Sequence, residues 1–270
     1  MNKISKFIKA VQLIIQKPYL LNNVLKDEMV AKESFEKAYP NLSFRQIRLV
    51  DLMDSDEVKI TPYAFLSGSS LATDFALLQL LCRKYDVKDY LEIGTWRGES
   101  AANVSSYVDR VTTFNLGDEQ LLSIGLPKDY VASHRFFSKD KANIQHVFGD
   151  SQSFDFETLH QTYDLIFIDG DHSTEAVRRD TTKLRSFLKN EKSIIVWHDA
   201  KVDTEYPRYE VLRGIYEGLP TEMHAKVYLV ENSLCAVYLP FDVPSESIQI
   251  NRLPRTSFEL TLKKLPLTEK

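Results

Sequence analysis

Two clusters of polar residues each follow a short apolar run and contain the residue types that transfer protons or bind hard cations. The first is Asp169-Gly170-Asp171-His172-Ser173, and the second is Trp197-His198-Asp199. Imidazoles and carboxylates act as general bases, and carboxylate oxygens are the ligands that divalent ions such as Mg²⁺ prefer. Taken singly, Asp171 and Ser173 are also typical helix caps, and His198 is also typical of a hydrogen-bonded core residue. Together the two clusters favour a functional site.

A third candidate site is the stretch YLEIGTWRGES, residues 90–100. An apolar run leads into a turn that contains Glu92, Gly94, Thr95 and Gly98, and a helical pattern follows. The spacing differs from the dinucleotide-binding pattern G-x-G-x-x-G. A carboxylate inside the turn would repel a pyrophosphate, but it suits a ligand that carries an ammonium group. The stretch therefore predicts either a cofactor-binding turn or an ordinary βα turn of some other α/β domain.

Alternating strand and helix patterns must position these residues. Apolar runs predict five strands of a parallel sheet, and two further runs with a three-residue connection predict an antiparallel hairpin. The five runs are residues 90–93, 110–116, 144–148, 163–168 and 193–197, and the hairpin is residues 225–230 and 234–239. Because ligands bind beyond the carboxyl ends of such strands, both polar clusters and the glycine turn are expected at one edge of the sheet.

The chain divides into three predicted regions. Residues 1–66 form an N-terminal helical extension, residues 67–240 the α/β domain and residues 241–270 a C-terminal tail. The first helix places its apolar residues on one face, opposite Lys3, Lys6 and Lys9; they are Ile4, Phe7, Ile8, Val11, Ile14 and Ile15. Docking on the chain's own domain or on a second subunit is expected more than peripheral membrane contact. A homodimer is one prediction of this pattern.

Composition restricts the class of partner. The formal net charge is −4 over 270 residues, which argues against nucleic acid as a partner. Cys82 and Cys235 lie far apart in apolar surroundings, so they are predicted to be reduced core residues of a cytoplasmic protein. No apolar run approaches the ~20 residues that a transmembrane helix needs. The composition therefore argues against broad binding of polyanions and against a membrane-spanning protein.

With these residues in view, the chain resembles a known family. The turn resembles motif I of class I S-adenosylmethionine-dependent methyltransferases, and IDGDHSTEAVRRD with IIVWHDA resembles the Methyltransf_24 family; the resemblance covers about residues 67–239. It implies a Rossmann-like α/β fold with a mostly parallel, seven-stranded sheet that ends in an antiparallel hairpin. It also implies S-adenosylmethionine as cofactor. The residues implied to bind it are Glu92, Gly94, Thr95, Gly98, Asn115, Asp150, Ser151 and Asp169.

Two of these positions are implied to contact particular parts of the cofactor. Asn115 stands where the family usually has an acidic residue that holds the ribose hydroxyls. An amide can accept a hydrogen bond from one hydroxyl, but it lacks the charge-assisted, bidentate contact of a carboxylate. Asp118 is a substitute for that role. Asp150 and Ser151 stand where the family contacts the adenine amino group. The loop of residues 117–143 is expected to cover part of the acceptor pocket.

The implied reaction is O-methylation of a small molecule or sugar hydroxyl. By the resemblance, Asp171 and Asp199 are ligands of Mg²⁺ or another divalent metal, and the catalytic base is His172, His198 or Asp171. Related enzymes often carry two consecutive carboxylates at the position of His198-Asp199, which leaves the need for a metal open. Two alternatives remain: a metal-dependent hydroxylase on the same fold, and a non-catalytic cofactor-binding protein.

Overall fold

The computed structural model describes residues 2–25 and 27–266, and it consists of one nine-stranded sheet with helices on both faces. The strands are β1 Arg45–Ile47, β2 Asp89–Ile93, β3 Arg110–Asn115, β4 Ile144–Phe148, β5 Leu165–Ile168, β6 Ile194–Trp197, β7 Val227–Val230, β8 Ala236–Tyr238 and β9 Glu246–Ser247. The helices are α1 Lys3–Gln16, α2 Asn22–Leu25, α3 Glu28–Ala38, α4 Ala72–Lys84, α5 Glu99–Val104, α6 Asp118–Ser123, α7 Lys128–Ala132, α8 Thr174–Leu184 and α9 Tyr209–Gly218.

The strand order is β4-β3-β2-β5-β6-β8-β7-β1-β9. Strands β2 to β6 are parallel, and β8 lies antiparallel between β6 and β7. The prediction of a Rossmann-like α/β fold with five parallel strands and a C-terminal antiparallel pair is confirmed. All five parallel strands therefore direct their carboxyl ends to one edge of the sheet.

The predicted count of seven strands is wrong, because each terminal region adds one strand. Strand β1 lies within the predicted helical extension and pairs with β7, and β9 lies within the predicted tail and pairs with β1. In β1, Gln46 and Ile47 are buried, so the pairing covers what would otherwise be an open edge at β7. The three-region division stays a prediction, but the first region is not purely helical.

Alternation along the strands divides the core into two layers. Leu91 and Ile93 of β2 belong to the apolar cluster on the side of α8 and α9, whereas Tyr90 faces the cluster on the side of α4 and α5. Both faces of β5 and β6 are fully buried, as expected for central strands of a parallel sheet. Because side chains alternate, Glu92 points with Tyr90 into the layer beneath α4 and α5.

Helix α4 begins with a buried carboxylate in its first turn. Leu71 occupies the N-cap position, and its amide donates to the Asp74 carboxylate at 2.8 Å. Asp74 is fully buried, so this carboxylate lies inside the molecule and faces the carboxyl ends of the strands. The helix cap thereby becomes part of the site described below.

The N-terminal helices differ in how they attach to the sheet. In α3, Phe35 is buried and packs against the rings of Tyr209 and Tyr216 on α9. The structure describes all residues of α1, and none of them is buried. The expected docking of α1 on the chain's own domain is therefore wrong, and docking on a second subunit stays a prediction. Over the described part of the chain, no helix has the combined length and apolar character needed to cross a bilayer.

Candidate functional site

The glycine turn lies directly against the end of the neighbouring strand. Gly94 has φ +89°, and a Cβ at this position would lie 2.0 Å from the carbonyl oxygen of Asp169. Gly98 has φ +75°, and its Cβ would lie 2.1 Å from the Ser138 hydroxyl oxygen. Only glycine fits both the left-handed backbone and these close approaches. The turn after β2 is therefore packed between the end of β5 and the segment that precedes β4.

Glu92, at the end of β2, is a carboxyl group without access to water. Its exposed fraction is 0%, and the Tyr90 hydroxyl donates to Oε2 at 3.0 Å. Burial raises the pKa of Glu92 to about 8, against the opposing effect of hydrogen bonds from Ser100 and Tyr90, and the nearby charge of Asp169 adds to the rise. At neutral pH the side chain is therefore mostly protonated, and it is ready to ionise beside a positively charged ligand.

Several buried polar atoms around the turn have no hydrogen-bond partner within the described part of the chain. They are Glu92 Oε1, Thr95 Oγ1, Trp96 Nε1, His134 Nε2 and Ser138 Oγ. Buried polar groups are normally satisfied, so a group of such atoms indicates a place where a polar ligand or water completes the bonding. Donors and acceptors are both present, which fits a cofactor with amino, carboxylate and hydroxyl groups.

Asn115, predicted to contact a ribose, already contacts protein groups. Its amide nitrogen donates to the Leu116 carbonyl at 3.1 Å and lies 3.0 Å from Nδ1 of His134. His134 belongs to the long segment between β3 and β4, whose backbone is bonded to the glycine turn through Arg135 N and the Trp96 carbonyl at 2.6 Å. The segment expected to act as a lid therefore lies next to the glycine turn. Asp118, the proposed substitute, is paired with Arg135.

Asp150 and Ser151 form a turn after β4. Asp150 Oδ1 accepts from the Gln152 amide at 3.0 Å, and the Ser151 carbonyl accepts from Lys183 Nζ at 2.7 Å. Behind this turn lies Asp180 of α8, which accepts from the Gln152 side chain at 2.7 Å. Burial raises the pKa of Asp180 to about 6. Helix α8 thus holds the predicted adenine-binding turn in position through Asp180 and Lys183.

His198 is surrounded by three carboxylates. Its Nε2 lies 3.1 Å from Asp74 Oδ2, and its Nδ1 lies 3.0 Å from Asp169 Oδ1 and 3.4 Å from Asp199 Oδ2. The Nδ1 contacts have the distance of an ion pair, and Nδ1 lacks a directed hydrogen bond among the described residues. Burial alone would lower the pKa of His198, but Asp169, Asp199 and Asp74 together hold it well above its usual range. The imidazole is therefore a cation at neutral pH.

His172 and Asp199 form a second, more accessible pair. His172 Nε2 lies 3.1 Å from Asp199 Oδ2, and the His172 side chain is 39% exposed. Burial alone would raise the pKa of Asp199, but His198, His172 and Arg208 hold it below its usual range. The ionised Asp199 can thus orient the imidazole of His172. Asp199 also has φ +53°, a strained backbone for a residue other than glycine.

The donor atoms of this region could hold a divalent cation. In the described ranges, Asp169, His172 and Asp199 each offer a ligand atom, and these atoms lie within 4.8 Å of one another. Two carboxylates and one imidazole fit a divalent transition metal or Mg²⁺ with further water ligands. The positive charge on His198 opposes such an ion. Asp171, predicted as a ligand, instead accepts from the Ser173 amide at 2.7 Å and lies outside this group.

Asp74 is a member of this buried cluster that the sequence did not predict. Its Oδ1 accepts from Ser233 Oγ at 2.7 Å and from the Leu234 amide at 2.9 Å, while Oδ2 faces His198. These bonds hold the pKa of Asp74 low although burial acts against them. The available signal was an acidic residue in the first turn of an otherwise apolar helix. The sequence could not show its partners, because they lie far away along the chain.

Comparisons with known proteins bear on the same region. Residues 91–200 match the sequence profile of the Methyltransf_24 family, described as a methyltransferase domain. No curated protein matches the chain.

Solved structures resemble the fold at low identity. The O-methyltransferase TomG from Streptomyces achromogenes, solved with S-adenosylmethionine, is 18% identical with a TM-score of 0.44, over 63% of this chain and 81% of that one. An O-methyltransferase from Bacillus cereus is 16% identical with a TM-score of 0.42, over 64% and 84%. CalS11, a TDP-rhamnose 3'-O-methyltransferase of calicheamicin biosynthesis, is 17% identical with a TM-score of 0.44, over 62% and 79%. The match of residues 91–200 to the Methyltransf_24 family model agrees with the resemblance seen in the sequence.

Proposed function

We propose that this protein transfers a methyl group from S-adenosylmethionine to a hydroxyl of a small molecule, with a sugar as one candidate acceptor. The observation that carries the proposal is the contact between the glycine turn and the end of β5. Gly94 packs against the backbone of Asp169, and Asp169 is paired with His198. The predicted cofactor turn and the cluster of acid and base groups therefore share one wall. A methyl donor and a hydroxyl acceptor could meet there.

Glu92 is assigned to the cofactor. A carboxyl group with a pKa of about 8 and one unpartnered oxygen ionises readily when an ammonium group approaches. Thr95, Trp96 and Ser138 offer further unpartnered polar atoms around the same turn. Gly94 and Gly98 allow the backbone to approach the ligand closely. These contacts would orient the cofactor, and orientation can supply ~7–11 kcal/mol of a reaction barrier.

His172 is the better of the two histidines for the role of general base. Both nitrogens of His198 face carboxylates, so it has no free lone pair, and its charge keeps the surrounding carboxylates ionised and in place. His172 is partly exposed, and Asp199 orients it through Nε2, which leaves Nδ1 for the acceptor hydroxyl. A positioned base typically contributes ~10²–10⁴-fold in rate. Asp74 is a positioning residue that acts through His198.

A divalent cation, if this enzyme uses one, would be held by Asp169, His172 and Asp199. When bound there, such an ion lowers the pKa of a coordinated hydroxyl. His172 would then be a ligand and not the base. The two assignments predict opposite responses to chelation.

The first test is calorimetric titration with S-adenosylmethionine, followed by measurement of S-adenosylhomocysteine released with a panel of sugar and phenolic acceptors. We expect wild-type protein to bind the cofactor and Glu92→Gln to bind it more weakly. We expect His172→Asn to bind it normally and to turn over ~10²–10⁴-fold more slowly. His160→Asn is the matched control, because His160 is exposed and lies outside this cluster.

The outcomes separate the roles clearly. Absence of cofactor binding by the wild-type protein would exclude the proposed reaction. Normal turnover by His172→Asn would exclude His172 as base. Activity that is lost with a chelator and restored by Mg²⁺ would assign His172 to the metal.

A further inference from the structure

Helix α1 presents an apolar face that is largely exposed in the described part of the chain, with Ile14 half-buried. Ile4, Phe7 and Ile15 are 71%, 69% and 74% exposed, and Ile8 and Val11 on the same face are also exposed. The helix itself is well defined at both ends: Asn2 Oδ1 accepts from the Ser5 amide at 2.9 Å, and the helix ends before Pro18. An amphipathic helix whose apolar side is exposed to water indicates a surface that binds a membrane or another protein.

The charge of this segment is of one sign only. Residues 2–25 contain Lys3, Lys6, Lys9 and Lys17 and no acidic residue, whereas the whole chain has a net charge of −4. On a helical projection, Lys3 borders the apolar face, and Lys6 and Lys9 lie on the polar side. Lysines with long side chains beside an apolar face are typical of helices that lie in the plane of an anionic lipid surface.

The apolar surface continues beyond α1. Tyr19, Leu21 and Leu25 are exposed in the short helical turns that follow, and Tyr19 is 65% exposed. An aromatic ring with a polar tip is favoured at the boundary between lipid headgroups and acyl chains. Exposed apolar residues thus recur from Ile4 to Leu25, up to the start of α3.

The same helix of a second copy is a poorer occupant for this apolar face. Packing α1 against α1 of another copy would bring lysines near lysines, and residues 2–25 offer no acidic group to compensate. An anionic bilayer satisfies both properties at once, since it takes the apolar side chains and attracts the lysines. Charge complementarity therefore favours lipid.

We propose that α1 and the exposed turn behind it bind in the plane of an anionic lipid bilayer and anchor the protein to that surface. The sequence favoured docking of this helix on the chain's own domain or on a second subunit, and the exposure of its apolar face reverses that preference. This inference goes beyond the proposed methyl transfer and does not depend on it.

The test is flotation of the full-length protein with vesicles of phosphatidylcholine, alone or in an equimolar mixture with phosphatidylglycerol. We expect binding to the anionic vesicles, which added salt weakens. Each lysine near such a surface contributes roughly fivefold in partitioning, so replacing Lys3, Lys6 and Lys9 by Gln should weaken binding about a hundredfold. Phe7→Glu should weaken it about tenfold or more, because it removes a ring from the inserted face.

Leu253→Glu is the matched control, since Leu253 is 87% exposed but lies in the C-terminal region. It should bind as the wild type does. None of these positions is buried, so circular dichroism and the thermal midpoint should stay unchanged in all variants.

Three results would overturn the proposal. The first is failure of the wild-type protein to float with anionic vesicles, and the second is equal flotation of the wild type and Phe7→Glu. The third is a dimer in sedimentation velocity that Phe7→Glu dissociates, with no vesicle binding, which would make a second copy the occupant.

Discussion

Two residues of the site have protonation states opposite to the usual ones. Glu92 is a carboxyl group that burial keeps mostly neutral at pH 7, and His198 is an imidazole that three carboxylates keep charged. The difference lies in their partners, because Glu92 has a hydroxyl beside it and His198 has anions on both sides. Such opposed shifts within one site are typical of catalytic centres.

The state of Glu92 predicts how stability depends on pH. Its folded pKa of about 8 is raised above the ordinary value of 4.5, so the folded protein holds a proton that the unfolded chain releases. The stability that this group contributes is complete below pH 4.5 and is lost as pH rises through about 8. Relative to Glu92→Gln, the wild type should lose up to about 1.4 kcal/mol per pH unit in this window.

Urea unfolding of both proteins at about pH 5 and about pH 7.5 measures this loss. Glu119→Gln, at an exposed position, is the control and should show the wild-type slope. Parallel pH profiles for the wild type and Glu92→Gln would show that Glu92 is ionised throughout.

For single residues, the sequence predicts which residues belong to the site better than it predicts which of them contact each other. Glu92, Asp169, His198 and Asp199 were recognisable because each follows an apolar run that had to be a strand. Their pairing depends on contacts across the chain, such as the bonds of Asp74 to Ser233 and His198, which no local pattern contains. The exchange of Asp171 for His172 beside Asp199 depends in the same way on how the loop after β5 turns.

Among the elements, the turn between β2 and α5 tolerates the least change. Gly94→Ala adds a Cβ that would meet the Asp169 carbonyl oxygen at 2.0 Å, in addition to the strain of a φ of +89°. Gly125→Ala is a matched control, because Gly125 has φ +88° and nothing within 4 Å of the added Cβ. The control should cost about 1–2 kcal/mol from backbone strain alone.

Gly94→Ala should cost more than that, by at least about 1–3 kcal/mol, because the strand ends must move apart to admit the new methyl group. It should also weaken cofactor binding, which the control should leave intact. Urea unfolding and cofactor titration measure both effects. Equal losses of stability in the two variants would mean that the turn yields easily and does not depend on the contact with Asp169.

The sequence predicted the central strands of the sheet better than the short strands β1 and β9 near its edge. Strands β5 and β6 are continuous apolar runs, because both of their faces are covered, and such runs stand out. Strands β1 and β9 have three and two residues and contain Arg45, Gln46 and Glu246. Their pairing is determined by the open edge at β7, a property of the assembled sheet that the two short segments do not encode.

For the whole molecule, the predicted N-terminal extension separates into an integral part and a free part. Phe35 is 2% exposed and lies among the rings of Tyr39, Phe44, Tyr209 and Tyr216. Phe35→Ala should therefore destabilise the protein by about 3–5 kcal/mol. Phe7→Ala on α1 should change stability by less than about 0.5 kcal/mol, since Phe7 is 69% exposed.

Denaturant unfolding of these two variants compares the same substitution at both places. Similar small effects would show that α3 is not part of the core. A large effect of Phe7→Ala in the absence of lipid would point to a protein partner for α1.

The pairing of β1 with β7 also bears on how the chain is made. Arg45 is synthesised well before its partner Tyr228. Until then the segment around β1 and the aromatic residues of α3 have no place to pack, because α9 is also made late. The parallel strands β2 to β6 can assemble first, as contacts between nearer segments form faster. The segment around β1 should thus fold after strands β2 to β6 although it is synthesised before them, and it needs protection from aggregation during translation.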